Sequence, residues 1–361
     1  MEITQIDKNF KLQPFKEKDE DIVWFHANDT HFDVRGVFYS EEEGLYRRFS
    51  HKLAKCVSES LELLSVRTAG GRIRFLTNSP FVAIKCVVPK TNIAPSQTPL
   101  AYYGFSIYEN DKYAGSFMPD MQELINAPGQ DFAFQDIRYF PDHLLQDMCI
   151  YMPLYGGVKE LFIGVKKGST VQTASPYPIN NPVLFYGSSI TQGGCASHAG
   201  TDYPSILSRK FGFDFINFGL SGNAKGELVV AKYLASLHPS VFVMDYDHNA
   251  PNAEHLQNTH YAMYQAFRKE NPKTPVIFIS RPDFENNVSL SVSKRAVVYE
   301  TYVKARQNKD KNVFFIDGEK LFGKKDRDGC TVDLCHPNDL GFYRMAETIA
   351  PVLKKALKRC K

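Results

Sequence analysis

Two adjacent hydroxyls, an aspartate and a histidine three residues apart, and a glycine and an asparagine between those two sets could together carry acyl transfer. Ser188 and Ser189 occur in "LFYGSSITQGG" (184–194) and Gly222 in "NFGLSGNAKG" (217–226). His248 and Asn249 occur in "DYDHNAP" (245–251), Asp333 and His336 in "CTVDLCHPNDLGFYRMA" (330–346). A serine hydroxyl attacks an ester carbonyl when a base takes its proton. Histidine supplies that base, a carboxylate orients the ring, and N–H donors hold the oxyanion. The pattern predicts Ser189 as nucleophile, His336 as base and Asp333 as the orienting carboxylate. The backbone amides of Ser189 and Gly222 and the side chain of Asn249 are the expected oxyanion donors, glycine allowing a close approach. Ser188 and His248 are expected to line the pocket. The bland alternative is that the two serines only cap the helix that follows them.

Other chemistries fit less well. Thr191 stands where a Gly-x-Ser-x-Gly elbow needs its second glycine, and there is no Gly-Lys-Ser/Thr phosphate loop. Cys195, His198, Cys330, Cys335 and His336 resemble a metal cluster only at first sight. Their spacing matches no usual zinc pattern, and a metal would occupy the base. No metal and no cofactor is expected, and these cysteines read as small packed thiols.

The elements that must position these residues alternate. "VLFYG" (183–187), "FDFINFG" (213–219), "SVFVMD" (240–245), "PVIFIS" (275–280) and "VFFID" (313–317) are near-continuous apolar runs, as expected of strands covered on both faces. Helical periodicity lies between and after them, over 254–270 and over 339–358, where Pro351 predicts a kink. The pattern is α/β, a five-stranded parallel sheet between helices. Every candidate residue then follows the carboxyl end of a strand, where such sheets bind ligands.

Up to about residue 175 the pattern is different. "GRIRFLT" (71–77) and "FVAIKCVV" (81–88) are joined by "NSP", "YYGFSIYEN" (102–110) turns into "DKYAGSF" at Asn110-Asp111, and "MCIYMPLY" (148–155) and "KELFIGV" (159–165) flank Gly156-Gly157. Short strands with turn signals at this spacing predict an all-β sandwich or jelly roll. Residues 51–64 alone read as helical there. "TASPYPINNP" (173–182) is a stiff, extended connection. The expected organisation is a β-sandwich over 1–175, a linker over 176–182 and a catalytic α/β domain over 183–361.

Composition narrows the partners. With 43 Lys and Arg against 40 Asp and Glu, the net charge of +3 is too balanced for nucleic acid or an anionic membrane surface. No apolar run approaches a membrane span, and the charged N-terminus shows no signal peptide, so a cytoplasmic protein is expected. Seven scattered cysteines without a CxxC pair read as reduced thiols. Self-association is left open.

The second half resembles the SGNH hydrolases, the GDSL-type esterase superfamily. "GSSIT" matches its first block, with Ser188 where an Asp usually stands, and "GLSGN" matches the second. "DYDHN" stands where Gly-x-Asn-Asp usually stands, and "DLCH" matches the Asp-x-x-His block. "EEEGLYRR" (41–48) and "IYMPLYGGVKELFIGV" (150–165) look like signatures of the branch with an N-terminal β-domain, similar to bacterial carbohydrate acetylesterases. The resemblance implies a three-layer, flavodoxin-like catalytic domain and metal-free deacylation of a small-molecule or oligosaccharide ester. An acyltransferase using the same triad and a non-catalytic glycan-binding protein are the alternatives. The β-domain is expected either to offer aromatic side chains to a sugar or to wall the active-site cleft or mediate dimers.

Overall fold

A computed structural model of the chain describes residues 6–7, 15–141, 144–179 and 181–360. Most of the charged N-terminal stretch and Asn180 of the expected linker lie outside these residues. The second half is a parallel sheet in the strand order Phe215–Gly219, Val183–Gly187, Val241–Asp245, Val276–Ile279, Val313–Ile316. In chain order this is 2-1-3-4-5, the flavodoxin-like arrangement, whose ligands sit where the order reverses beside the first strand. Val183–Gly187 and Val241–Asp245 are buried at every position, which is why they read as continuous apolar runs. Gly187 is in register with both Gly219 and Asp245. Three loops therefore leave one edge of the sheet at the same height: the one after Gly187, the one after Gly219 and the one after Asp245.

Helices cover both faces. Tyr203–Phe211 begins where the Asp202 carboxylate accepts the Ser205 N–H and ends at Gly212, whose φ of 64° supplies the left-handed stop. Ala253–Glu270 and Asp339–Leu357 match the two helices read from periodicity, and the latter runs on through Pro351.

The first half contains a two-stranded sheet, Phe38–Ser40 with Leu45–Arg47, and two large antiparallel sheets. One has the order Ile22–His26, Glu160–Lys166, Phe81–Pro89, Asp131–Tyr139; the other has Val171–Thr173, Arg72–Thr77, Gln146–Tyr151, Phe105–Glu109, Lys112–Phe117, with Asp33–Arg35 also on Arg72–Thr77. Phe105–Glu109 and Lys112–Phe117 form the expected hairpin. Asn110 and Asp111 both have positive φ, 49° and 63°, as a two-residue turn of this hand requires. The other two expected pairs are not hairpins. Arg72–Thr77 and Phe81–Pro89 lie in different sheets, as do Gln146–Tyr151 and Glu160–Lys166. Their short links cross between the layers of the sandwich, which apolar alternation does not distinguish from a turn within one sheet. The expected helix over 51–64 is two helices, His51–Val57 and Glu59–Ser65, because Ser58 is extended and caps the second.

One apolar core runs through both halves, from Ile73, Phe75 and Ile150 to Phe185, Phe215 and Ile277. Polar contacts cross the same boundary. Arg72 pairs with Asp214 and lies over the Phe215 ring, 3.9 Å from its centroid. Arg48, 2% exposed, donates to the carbonyls of Asn217 (2.9 Å) and Gly219 (2.7 Å) and to those of Leu64 and Arg67. Burial pulls its pKa down to about 9, so it remains charged at neutral pH. Gly70, at φ 79°, touches the second half so closely that a Cβ would stand 2.7 Å from the Asn217 Cβ.

Candidate active site

Two serines that are adjacent in sequence do different things. Ser188 is extended and buried, and its Oγ accepts the Ile190 N–H at 3.1 Å, so it caps the short helix Ser189–Gln192. That hydroxyl is spent on the backbone rather than on the pocket. Ser189 is the first residue of the helical turn, and its side chain points elsewhere. Its Oγ is 2.8 Å from the His336 Nε2. Capping thus accounts for the Ser188 hydroxyl and not for that of Ser189.

The loop 330–338 presents the histidine. Thr331 bridges Pro337 and the Val332 N–H reaches the His336 carbonyl at 3.0 Å, closing the base of the loop. Leu334 turns the chain at φ 65°. Asp333 Oδ1 consequently accepts the N–H of His336 at 2.7 Å and that of Cys335 at 3.2 Å, while Oδ2 is 2.8 Å from the His336 Nδ1. Burial opposes the charge on Asp333, but the His336 N–H and imidazole outweigh it and hold the carboxyl below its usual range. Asp333 is therefore ionised at neutral pH and offers Oδ2 to an Nδ1–H, the tautomer that leaves Nε2 as acceptor for the Ser189 hydroxyl.

The other candidates converge from the neighbouring loops. Gly222 has φ 69° with nothing within 4 Å of a Cβ, so backbone conformation rather than space requires glycine. The Asn249 Nδ2 donates to the Leu220 carbonyl at 2.8 Å, tying the third strand's loop to the second's and leaving the other amide hydrogen. His248 turns toward the catalytic loop. Its Nε2 lies 3.2 Å from the Cys335 Sγ, 3.2 Å from an Asp283 oxygen and 3.4 Å from Arg281. A cavity of about 500 Å³ opens beside the same loop, lined by Asp283, Phe322, Arg327, Thr331 and Leu334.

The five residues that suggested a metal cluster do not all meet. His198 bonds Ser106 and stacks on Tyr113, with ring centroids 4.4 Å apart, and Cys330 contacts Arg344. Among the described residues metal-capable donors gather in three smaller sets, Cys195 with Asp333 and His336, His248 with Asp283 and Cys335, and, away from these loops, Glu43 with His51 and Glu62. In the first, a metal would compete for the His336–Asp333 pair. In the second, Arg281 already supplies the cation, bound to both Asp283 oxygens. All seven cysteines are free thiols, and burial pushes Cys335 up to about 12.

Five residues around the site escaped the sequence reading. Thr191 Oγ1 donates to a buried Asp245 oxygen at 3.0 Å, and Tyr203 donates to the same oxygen at 2.9 Å. Gln192 accepts from the N–H (3.2 Å) and hydroxyl (3.0 Å) of Ser221 and donates to the Leu154 carbonyl at 3.2 Å. The Tyr155 hydroxyl donates to the Ser189 carbonyl at 3.1 Å. Thr191 and Gln192 stand in the motif itself, and a polar pair between buried glycine turns was their one signal.

This geometry agrees with what the chain is similar to. Residues 180–354 match the GDSL-like lipase/acylhydrolase family, and residues 22–171 match the N-terminal domain of SGNH-hydrolase-type esterases. A protein from Bacteroides ovatus described as a GDSL-like lipase is 30% identical, with a TM-score of 0.80, over 93% of this chain and 98% of its own. The salicylyl-acyltransferase SsfX3 of a tetracycline biosynthetic pathway has the same fold, with 16% identity, a TM-score of 0.77 and coverage of 94% and 98%. So has a family two carbohydrate esterase from Clostridium thermocellum, solved with cellohexaose, at 12% identity, a TM-score of 0.63 and coverage of 91% and 99%. No curated protein matches the chain. The chain belongs to the GDSL-like (SGNH) hydrolase family, as an ester hydrolase with an N-terminal antiparallel domain.

Proposed function

We propose that this protein is a metal-independent serine esterase that removes small acyl groups, acetyl first, from carbohydrate hydroxyls. The observation that carries the reading is the continuous relay from Ser189 Oγ through His336 to Asp333, with both steps 2.8 Å long. His336 takes the Ser189 proton through Nε2 as Oγ attacks the ester carbonyl. Asp333 keeps the ring in the required tautomer and stabilises the imidazolium. The amides of Ser189 and Gly222 and the free hydrogen of the Asn249 amide hold the oxyanion. The imidazolium then protonates the departing alcohol. Water, deprotonated by the same nitrogen, releases the acid from the acyl-serine.

Support for a sugar ester comes from the fold's carbohydrate esterases, one of them solved with cellohexaose, and from an open cavity of sugar size beside the loop. The test is hydrolysis of p-nitrophenyl acetate together with intact mass after treatment with a serine-directed phosphonate. Wild type is expected to turn over and gain one adduct, and Ser189→Ala to do neither while remaining folded. A panel of acetylated sugars then assigns the alcohol. An unreactive wild type would leave a glycan-binding protein that keeps the fold.

A further inference from the structure

We propose that the antiparallel domain holds the nucleophile in place, with Tyr155 as the positioning residue. The inference rests on the reading of Ser189 as nucleophile. After the strand Gln146–Tyr151, residues 153–157 leave the sandwich and reach the loops that carry Ser189 and Gly222. The segment is firmly anchored in its own domain. The N–H groups of Leu154 and Tyr155 both donate to the Ala101 carbonyl, at 2.9 and 3.0 Å. Thr68 donates its hydroxyl to the Pro153 carbonyl at 2.8 Å. Gly156 lies so close to Tyr102 that a Cβ would come within 1.8 Å of the Tyr102 carbonyl oxygen.

From that base the segment makes three contacts with the reacting region. The Tyr155 hydroxyl donates to the Ser189 carbonyl, which also accepts the N–H of Gly194 at 2.7 Å and of Gly193 at 3.1 Å. Second, the Leu154 carbonyl accepts from Gln192, whose own oxygen holds both donors of Ser221. Third, the Leu154 side chain fills the space beside Gly193, where a Cβ would stand 2.8 Å from its Cδ1. A buried segment that holds Ser189 through Tyr155, and Ser221 through Leu154 and Gln192, sets the separation between nucleophile and oxyanion donors. None of these contacts is to substrate, so Tyr155 acts through the position of Ser189. Small displacements of reacting groups are amplified in rate.

The test is Tyr155→Phe in the full chain, with active sites counted by phosphonate titration so that unfolded protein does not imitate the effect. Loss of one such bond is expected to lower kcat and kcat/KM together by about tenfold, with KM unchanged. Gln192→Leu, which cuts the second tie, is expected to do the same. A tie that merely stabilises the fold would lower the melting temperature and leave kcat per titrated site at the wild-type value. That result in both variants overturns the proposal. A wild type that neither turns over nor labels would instead overturn the assignment of Ser189, so the two failures are distinct.

Discussion

Replacing Asp333 with asparagine should be worse than replacing it with alanine. The carboxylate divides its two oxygens, Oδ1 toward the N–H groups of His336 and Cys335 and Oδ2 toward the His336 Nδ1. In Asp333→Asn the amide must turn its oxygen to the two backbone donors, because an NH₂ there would set donor against donor. The NH₂ then faces Nδ1, which must accept, and the ring proton moves to Nε2. Nε2 loses the lone pair that receives the Ser189 proton. Recovering the working tautomer means turning the amide over, at about 0.5–1.5 kcal/mol for each of the two bonds given up. The lost charge-assisted bond to the imidazolium adds about 1.5–3 kcal/mol, so kcat should fall on the order of 10²–10⁴. Asp333→Ala leaves the tautomer free. The carboxylate is 36% exposed, so water can replace it at Nδ1 and at the backbone donors. That variant loses only the charged bond, a fall on the order of 10–100 in kcat. Steady-state hydrolysis of p-nitrophenyl acetate per titrated site measures both, with circular dichroism to confirm folding. Equal or greater activity in Asp333→Asn than in Asp333→Ala would refute the assignment of the two oxygens. Near-wild-type activity in both would make the site a Ser-His dyad.

Asn249→Ala should cost on the order of 10²–10³ in kcat if its amide is an oxyanion donor; wild-type turnover in that variant would remove Asn249 from the site. Asp245 carries a stability prediction with a definite sign. Burial, aided by the nearby Asp247, pushes its carboxyl up to about 8, so the folded state holds a proton that the unfolded state has released. Between pH about 4 and 8 this group therefore makes stability fall as pH rises, by up to about 1.4 kcal/mol per unit. Asp245→Asn mimics the protonated form and should remove that slope. Urea denaturation at pH 5 and pH 8 checks it, and parallel pH curves for the two proteins would disprove it. Asp283 and Asp333 are held low, so their stabilisation is lost only on the acid side, as pH falls through their lowered values, and does not confuse this window.

The parallel half was legible because its signals are local. A strand covered on both faces is a continuous apolar word, and Asp333, Cys335 and His336 complete their hydrogen bonds within one short loop. Ser189 and His336 are 147 residues apart, yet each follows a readable strand, and the parallel register brings the strand ends level. The antiparallel half was legible in its strands and not in their pairing. "NSP" and Gly156-Gly157 look like hairpin turns, but the flanking strands belong to opposite sheets. Alternation records which residues face a core, not which layer of the sandwich they come from. The Asn110-Asp111 turn was readable because two consecutive positive φ values restrict the residues there.

What the sequence concealed most completely was that two differently patterned halves share one core and one site. Arg48, within the "GLYRR" stretch, gives its guanidinium entirely to backbone carbonyls, two of them on the strand that ends at Gly219. A buried cation without a carboxylate partner is costly unless its N–H groups find acceptors. The carbonyls that use them come from both halves, so neither half alone completes the arrangement. Tyr155 repeats the principle at the nucleophile. Both residues come from short stretches that looked like family signatures, and neither carries a group with chemistry of its own. Their types are explained by geometry: a fork of donors long enough to cap the carbonyls after one strand, and a rigid ring with a hydroxyl at its tip reaching the carbonyl of Ser189. The antiparallel domain thus reaches Ser189 at its backbone carbonyl, while His336 meets its hydroxyl.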